Sequence, residues 1–227
     1  MLAAVILSAG ESSRMGSPKA LVPFRGRTFL QRLLDVVQQS SAQIAAGNSA
    51  AGRVESSKAG AGIGLTRIVL GARADEIRDA LGLDPTTIII NPRWQNGQLS
   101  SIQAAISGLA ESQTDGVLLF LVDHPLVSAP VVTELVARFY DSGHPIVLPK
   151  FRGKRGHPVI FAQRLYGELL AAPAEQGARA VVWQHAAEVL EVSTEDEGVV
   201  LNLNDPESLR RALEDASFGT SASNPQV

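Results

Sequence analysis

The sequence predicts an α/β protein with a doubly wound, mostly parallel sheet, and two observations support this fold class. Short, almost continuous apolar runs recur at residues 3–7, 66–70, 87–90 and 117–122. Strands covered by helices on both faces have this character. Amphipathic stretches with helical spacing lie between the runs, around residues 29–37 and 102–109. Alternation of the two types implies right-handed crossovers between parallel strands.

Length and composition indicate one domain. The chain has 227 residues, of which 45% are hydrophobic and 19% charged, and this suits a single core. We expect the domain to span residues 1–216, with a flexible surface insertion at residues 40–64, where Ala, Gly and Ser dominate. Residues 217–227 are small and polar, which predicts a disordered tail. Asp205 followed by Pro206 predicts the start of a last helix, because these residues favour an N-cap and a first turn.

Charge and residue content exclude several function classes. The net charge of −3 leaves no broad basic footprint for nucleic acid. The absence of cysteine excludes disulfides, thiolate zinc sites and cysteine nucleophiles. Apolar runs are shorter than the roughly 18 residues of a membrane span, and the N-terminus lacks the features of a signal peptide. We therefore expect a cytoplasmic protein that acts on small molecules, with neither nucleic acid nor membrane as a partner.

The loop after the first apolar run carries the most informative motif. Residues 7–19 read Leu-Ser-Ala-Gly-Glu-Ser-Ser-Arg-Met-Gly-Ser-Pro-Lys. Gly10 and Gly16 allow close backbone approach, Arg14 can grip phosphate oxygens in a fork, and Lys19 adds a compact charge. Two cations on one small-residue loop predict an anion site at the sheet edge, where α/β proteins bind ligands. The simpler interpretation is a polar turn with solvated basic residues.

Three later segments place polar residues after apolar runs or in turns. Residues 91–101 read Asn-Pro-Arg-Trp-Gln-Asn-Gly-Gln-Leu-Ser-Ser, and residues 152–158 read Arg-Gly-Lys-Arg-Gly-His-Pro. Asp123 follows an apolar strand and precedes Pro125. A carboxylate at such a strand end can hold Mg²⁺ against a triphosphate, although an isolated Asp-x-Pro usually caps a turn. The basic turn could hold an anionic acceptor, or could be a solvated face.

Together, these segments resemble the nucleotidyltransferase superfamily that includes the molybdenum cofactor cytidylyltransferases and guanylyltransferases. The similarity runs from about Leu2 to Leu213, apart from residues 40–64. It implies a nucleotide-diphospho-sugar transferase fold with a Rossmann-like nucleotide-binding half. It also implies transfer of CMP from CTP to the phosphate of the molybdenum-pterin cofactor, with release of pyrophosphate. The alternatives are a guanylyltransferase that uses GTP, a sugar-phosphate nucleotidylyltransferase, and a non-catalytic cofactor-binding chaperone for a molybdenum enzyme.

The resemblance assigns roles to residues of this sequence by position. The catalytic residues are Arg14, Lys19 and Asp123. The nucleotide-binding residues are Leu7, Ser8, Ala9, Gly10, Arg14, Lys19, Ser100 and Ser101. The acceptor-binding residues are Arg155, Gly156, His157 and Pro158. A divalent ion, Mg²⁺ or Mn²⁺, is assigned to Asp123 and Asn202. An acceptor molybdoenzyme is the expected recipient of the product.

Two features bear on base choice in opposite directions. Ala9 stands where the cytidine-using enzymes carry alanine and the guanosine-using enzymes generally carry glycine, so it favours CTP. Asn202 and Asn204 stand where many cytidylyltransferases carry aspartate, and at this point the chain is closer to the guanylyltransferases. The interpretation that these two residues only cap the last helix stays open. We expect CTP, and assign no chemistry to His124 or Trp94.

Overall fold

A large mixed sheet organises the chain in the computed structural model, which describes residues 1–12, 15–49, 52–53 and 60–215. In chain order the strands are β1 (Leu2–Ser8), β2 (Pro23–Phe24), β3 (Arg27–Thr28), β4 (Asn48–Ser49), β5 (Gly52–Arg53), β6 (Ile63–Leu70), β7 (Ile88–Ile90), β8 (Gly116–Leu121), β9 (Ile146–Phe151), β10 (Lys154–Arg155), β11 (Val159–Ala162) and β12 (Val189–Ser193). β2 pairs with β3 and β4 with β5 in two small hairpins, and the other strands form the large sheet.

The strand order of the large sheet is β12-β9-β11-β8-β1-β6-β7, and β10 pairs with the end of β9. β1 is parallel to both of its neighbours, β6 and β8, and β7 extends this parallel half. β11 runs antiparallel between β8 and β9. The predicted mostly parallel α/β sheet is confirmed, and the antiparallel strand inside it was not predicted.

Helices cover both faces of the sheet. They are α1 (Phe29–Ala45), α2 (Ala74–Leu81), α3 (Gln98–Gly108), α4 (Ala129–Ser142), α5 (Tyr166–Ala171), α6 (Arg179–Gln184) and α7 (Pro206–Glu214). Successive side chains of β1 enter opposite cores, because neighbouring residues of a strand point to opposite faces. Ile6 belongs to one buried cluster with Leu33 of α1 and Leu135 of α4, whereas Val5 belongs to the other with Ile102 of α3 and Leu169 of α5. All seven residues of β1 are consequently buried.

The boundaries of the predicted insertion at residues 40–64 differ from the observed elements. α1 continues to Ala45, and β6 begins at Ile63. Ser40 is fully buried, and its hydroxyl donates to the carbonyl oxygens of Val36 at 2.7 Å and Ala129 at 3.3 Å. A small polar residue can therefore lie in the α1–α4 contact by bonding to backbone. Residues 50, 51 and 54–59, and the predicted tail at 217–227, lie outside the described residues.

The last helix begins where the sequence predicted. Asp205 is the N-cap of α7: its Oδ1 accepts from the Ser208 N–H at 2.8 Å, and the Ser208 hydroxyl oxygen accepts from the Asp205 N–H at 3.3 Å. Pro206 occupies the first turn. This capping box fixes the approach of the chain into α7. Within the described ranges, the helices all fall short of the length and apolar character that a membrane span requires.

Candidate nucleotide and metal site

A cleft of about 320 Å³ opens at the carboxyl edge of β1 and β8. The predicted site residues that line it are Leu7, Ser8, Ala9, Gly10, Lys19, Ser101 and Asp123. They meet because parallel strands end at one edge of a sheet, and the loops that leave those strands share the space beyond it. Arg14 lies outside the described residues.

The end of β1 is pinned by its two neighbours. The Leu7 carbonyl oxygen accepts from the Val122 N–H at 3.1 Å on the β8 side. The Ala9 carbonyl oxygen accepts from the Ala72 N–H at 3.0 Å on the β6 side. Ala9 is buried, although it borders the cleft. The backbone that a nucleotide would meet is therefore held rigidly at this point.

Lys19 joins the two sides of the cleft. The Ser12 hydroxyl accepts from the Lys19 N–H at 3.0 Å, which fixes the loop at the start of a short 3₁₀ turn. The ammonium of Lys19 lies 3.3 Å from Asp123 Oδ2 and also donates to Asn204 Oδ1. The Lys19 and Asp123 side chains are 18% and 22% exposed, so their charges are largely shielded from solvent. One cation thus bridges a carboxylate and an amide oxygen at the wall of the cleft.

The structure brings Asn204, rather than the predicted ligand Asn202, to Asp123. The Leu203 N–H donates to the Asp123 carbonyl oxygen at 2.7 Å, which places the next residue beside the Asp123 side chain. Asn202 is exposed. The alignment of residues 202–204 along the Asp123 turn determines which of the two asparagines contacts Asp123. This alignment depends on contacts between distant parts of the chain, which local sequence patterns do not reveal.

Asp123 stays ionised in this setting. Burial alone would raise the pKa of its carboxyl group, but the hydrogen bond and charge of His124, followed by those of Lys19, hold this pKa below its usual value. His124 Nδ1 lies 2.9 Å from Asp123 Oδ1. No role for His124 was predicted from the sequence. The position of His124 directly after Asp123, in the turn that follows a buried strand, was the sequence feature that could have indicated this contact.

The predicted acceptor segment divides between two environments. Arg155 is exposed, and its Nε donates at 2.7 Å to Glu191, which Lys150 also contacts. These two cations lower the pKa of the Glu191 carboxyl, and Lys150 has the larger effect. Gly156 packs so tightly that an added Cβ would lie 2.4 Å from the Val199 carbonyl oxygen. Arg155 therefore lies in a surface ion-pair network rather than free to meet a ligand.

His157 and its neighbour Pro158 turn inward. The ring centroid of His157 lies 5.0 Å from that of His124. Burial, followed by the nearby His124, lowers the pKa of His157 to about 4, although Asp123 opposes both effects. The imidazole is consequently neutral at pH 7. It can donate one N–H but cannot supply a positive charge to an anionic acceptor.

The two predicted serines also separate. Ser100 donates to the carbonyl oxygens of Arg93 at 2.9 Å and Gly97 at 2.8 Å, so its hydroxyl holds the loop in front of α3. Asn91 Nδ2 donates to both serine hydroxyls. Only Ser101 of the pair lines the cleft. Trp94, to which the sequence assigned no chemistry, lines it as well.

One protein family matches most of the chain. Residues 4–189 match the model of the MobA-like NTP transferase domain. The chain belongs to this family. It is accordingly a nucleotidyltransferase.

Relatives of this MobA-like protein carry more than one name. A protein of Paenarthrobacter nicotinovorans named nicotine blue oxidoreductase is 28% identical over 222 residues, which cover 92% of this chain and 95% of the relative. The molybdenum cofactor cytidylyltransferase of Escherichia coli K12 is 23% identical, over 92% of this chain and 94% of its own. A molybdenum cofactor guanylyltransferase of Xanthomonas euvesicatoria is 26% identical, but over 59% of this chain and 52% of its own.

A solved structure extends the comparison to metal binding. The crystal structure of Rv0371c from Mycobacterium tuberculosis H37Rv superposes with a TM-score of 0.74 and 26% identity, covering 95% of this chain and 99% of that one. The same protein has been solved as a complex with manganese, and that structure superposes with a TM-score of 0.69 and 25% identity. A related chain of the same fold therefore binds a divalent ion.

The donor groups of the MobA-like site suit such an ion. Mg²⁺ and Mn²⁺ prefer oxygen ligands, and Mg²⁺ is commonly held by one or two protein groups together with waters and phosphate oxygens. Asp123 and Asn204 supply two oxygens that already face one cation, the ammonium of Lys19. Among the residues that the structure describes, no group of three or more His, Cys, Asp or Glu side chains could hold a metal. Waters, and phosphate oxygens when a nucleotide is present, would complete the coordination of an ion here.

Proposed function

We propose that this protein transfers CMP from CTP to the terminal phosphate of the molybdenum-pterin cofactor, with release of pyrophosphate, using Mg²⁺ or Mn²⁺. The observation that carries the proposal is the cluster of Lys19, Asp123 and Asn204 at the wall of the cleft that Ala9 borders. The similarity to the cytidylyltransferase, which extends over nearly the full length of both chains, supports the same choice of substrate.

The reaction needs no protein nucleophile. An oxygen of the acceptor phosphate attacks the α-phosphorus of CTP, and the bond from that phosphorus to the oxygen bridging to the β-phosphate breaks. Pyrophosphate leaves with the electron pair. Catalysis in this class of reaction consists of positioning the reactants and stabilising the charge that develops.

Charged residues line the side of the cleft where the triphosphate would lie. Lys19 is within reach of phosphate oxygens once its ammonium leaves Asp123, and we assign it to the charge that develops on the leaving pyrophosphate. Arg14 is assigned to the same phosphates through its place in the loop motif. A divalent ion held by Asp123 and Asn204 would supply further neutralisation when bound.

Uncharged residues line the other side, where we place the nucleoside. The end of β1 lies between β8 and β6. Asp123 borders the cleft on the β8 side, and Trp94 borders it on the β6 side. Ser8, Gly10 and Ser101 also border it. The buried methyl group of Ala9 narrows the cleft relative to glycine, which favours cytosine over a purine.

The acceptor is assigned to residues 155–158. Arg155 and Lys150 share Glu191, so an acceptor phosphate would compete with this carboxylate for the two cations. His157 would contribute a single N–H donor. Such competition makes acceptor binding dependent on ionic strength, because exposed ion pairs are screened by salt.

Pyrophosphate release measured with each of the four nucleoside triphosphates, with Mg²⁺ or Mn²⁺ and with or without the molybdenum-pterin acceptor, tests the proposal. We expect release that needs both CTP and the acceptor. A preference for GTP would identify a guanylyltransferase, and binding of nucleotide and cofactor without release would identify a cofactor chaperone that delivers to a molybdoenzyme. Oxidation of NADH or NADPH is a further measurement, because the Paenarthrobacter relative is named an oxidoreductase.

A further inference from the structure

The Asp123 carboxylate is held by two different donors. Lys19 Nζ lies 3.3 Å from Oδ2, and His124 Nδ1 lies 2.9 Å from Oδ1. An ionised carboxylate can only accept, so Nδ1 of His124 carries the shared proton. His124 thereby occupies one carboxylate oxygen and leaves the other directed to the side of the cleft where the ammonium lies.

The His124 ring has little freedom to turn away. Its side chain is 10% exposed, and the backbone N–H of His124 donates to the Leu121 carbonyl oxygen at 3.0 Å. The ring of His157 packs against it, with centroids 5.0 Å apart and planes tilted by 55°. The orientation of His124 is therefore set by the turn on one side and by a second imidazole on the other.

His157 is fixed by the same chain segment that fixes Asp123. Its N–H donates to the Val199 carbonyl oxygen at 2.8 Å, and four residues later the Leu203 N–H donates to the Asp123 carbonyl oxygen at 2.7 Å. Nδ1 of His157 is buried and has no hydrogen-bond partner among the described residues. A buried nitrogen of this kind is uncommon in native proteins. The ring is held by its packing.

We propose that His124 is a positioning residue, which orients the Asp123 carboxylate toward a divalent cation in the cleft, and that His157 holds the His124 ring in that orientation. The inference rests on the proposed metal use at Asp123. Hydrogen-bond partners of metal ligands fix ligand orientation, and their loss typically weakens metal binding. Orientation carries particular weight here because Asn204, the neighbouring oxygen donor, is uncharged.

Manganese binding to the full chain without nucleotide or acceptor tests the proposal, with free Mn²⁺ measured by electron paramagnetic resonance. His124→Phe keeps a ring and removes the donor, and we expect it to weaken Mn²⁺ binding by about 10- to 100-fold. His124→Asn places an amide N–H near the position of Nδ1 and should keep most of the affinity. His144→Phe is the matched control, because His144 also has a buried Nδ1 with no partner in the described part of the chain but lies outside the cleft.

Variants of His157 test the second part of the inference. His157→Phe preserves a ring against His124 and should bind Mn²⁺ nearly as wild type does, whereas His157→Ala should bind it more weakly. Thermal denaturation of each variant identifies those that fold, and only folded variants are compared. If the His157→Phe and His157→Ala variants bind Mn²⁺ equally well, His157 does not hold the His124 ring.

The outcomes separate this inference from the proposed function. Unchanged Mn²⁺ affinity in His124→Phe, or an Asn variant as weak as the Phe variant, overturns the positioning role while CTP turnover can persist. Mn²⁺ binding that depends on His124, in a protein that releases no pyrophosphate from any triphosphate, supports the positioning role and contradicts the proposed function. A wild-type protein that binds no Mn²⁺ overturns the positioning role, and pyrophosphate release then decides the proposed function by itself.

Discussion

Charge at the cleft wall is concentrated in a few partly buried side chains, and single substitutions there should act strongly. Lys19 and Asp123 are each about one-fifth exposed, at 18% and 22%, so interactions with the proposed phosphate and metal would be less screened than those of surface ions. Asn204 shares the Lys19 ammonium. At the scale of the residue, function is thus expected to depend on two charges and their orientation.

Removing either charge should impair turnover without unfolding the protein. We expect Lys19→Met and Asp123→Asn each to lower kcat/KM for CTP by about 10²- to 10³-fold, the usual scale for one electrostatic stabiliser. Arg210→Met removes an exposed cation on α7 and serves as the control, with unchanged kinetics. Steady-state kinetics on folded variants measure the effect, and normal kcat and KM in both site variants would contradict the assigned roles.

Base selectivity should depend on the methyl group of Ala9. The wild type is expected to prefer CTP over GTP, and Ala9→Gly should relax this preference in part, since one methyl group typically discriminates by about 10- to 200-fold. Values of kcat/KM for both triphosphates in both proteins provide the measurement. A wild-type preference for GTP would contradict the role of Ala9 and leave the nucleotidyltransferase activity untouched.

His157 should titrate far below an ordinary histidine. Its pKa of about 4 in the folded protein lies below the value of about 6.5 expected in the unfolded chain. As the pH falls, His157 is therefore protonated in the unfolded chain before it is protonated in the folded protein. The free energy of unfolding consequently decreases between pH 6.5 and 4, by up to about 3 kcal/mol.

Nitrogen NMR of the imidazole and urea unfolding across this pH range measure the effect. His157→Phe should flatten the pH dependence of the unfolding free energy between pH 6.5 and 4, because the variant lacks the titrating group. A His157 resonance that titrates near pH 6.5 in the folded protein would show that burial does not suppress its charge.

At the scale of the element, the antiparallel strand β11 depends on close backbone contact. Gly116 begins β8 and pairs with Ala162 of β11. A Cβ at residue 116 would lie 2.4 Å from the Phe161 carbonyl oxygen and 3.0 Å from the Ala162 Cα. Both contacts are with backbone, which cannot move aside without disturbing the ladder, so glycine is required by packing at this position.

Gly116→Ala should therefore destabilise the fold by about 1–3 kcal/mol, the usual cost of overpacking. Gly167→Ala in α5 is the matched control, because an added Cβ there meets nothing within 4 Å and alanine is the better helix former. Chemical denaturation compares the two variants with wild type. Equal stability of the two variants would mean that β11 shifts to accommodate the methyl group.

At the scale of the whole molecule, the cleft joins segments that are far apart in sequence. The residues that line it come from segments 7–12, 18–19, 94–101 and 121–123, and Asn204 reaches its wall from the segment just before α7. A ligand that bridges these segments binds the folded chain and not the unfolded one, so it must raise the stability of the whole fold.

Magnesium and CTP together should raise the melting temperature. At a ligand concentration of 100 times Kd, stabilisation is about 2.7 kcal/mol, and a domain of this size gains about 2–4 °C per kcal/mol. Differential scanning fluorimetry should show a rise of about 5–11 °C on this basis. The rise should be smaller in Asp123→Asn, and a shift of equal size in that variant would contradict its part in binding.

Local patterns in the sequence are enough to predict the parallel part of the sheet and the edge at which the cleft opens. Apolar runs such as residues 3–7 and 117–122 became parallel neighbours, and Lys19 and Asp123 came together because both follow strands of that parallel half. Asp205 determined where α7 begins. These features follow from periodicity, capping and chain order, which are local properties that a linear sequence displays.

Tertiary packing sets which side chains meet across the cleft. It brought Asn204 rather than Asn202 to Asp123, engaged Arg155 with Glu191, and set the His157 ring beside His124. It also engaged the Ser100 hydroxyl in a hydrogen bond to the Arg93 carbonyl oxygen, in the loop before α3. The antiparallel strand β11 was likewise placed inside the sheet by tertiary packing. Each outcome depends on register and packing between residues distant in the chain, and local patterns do not carry that information.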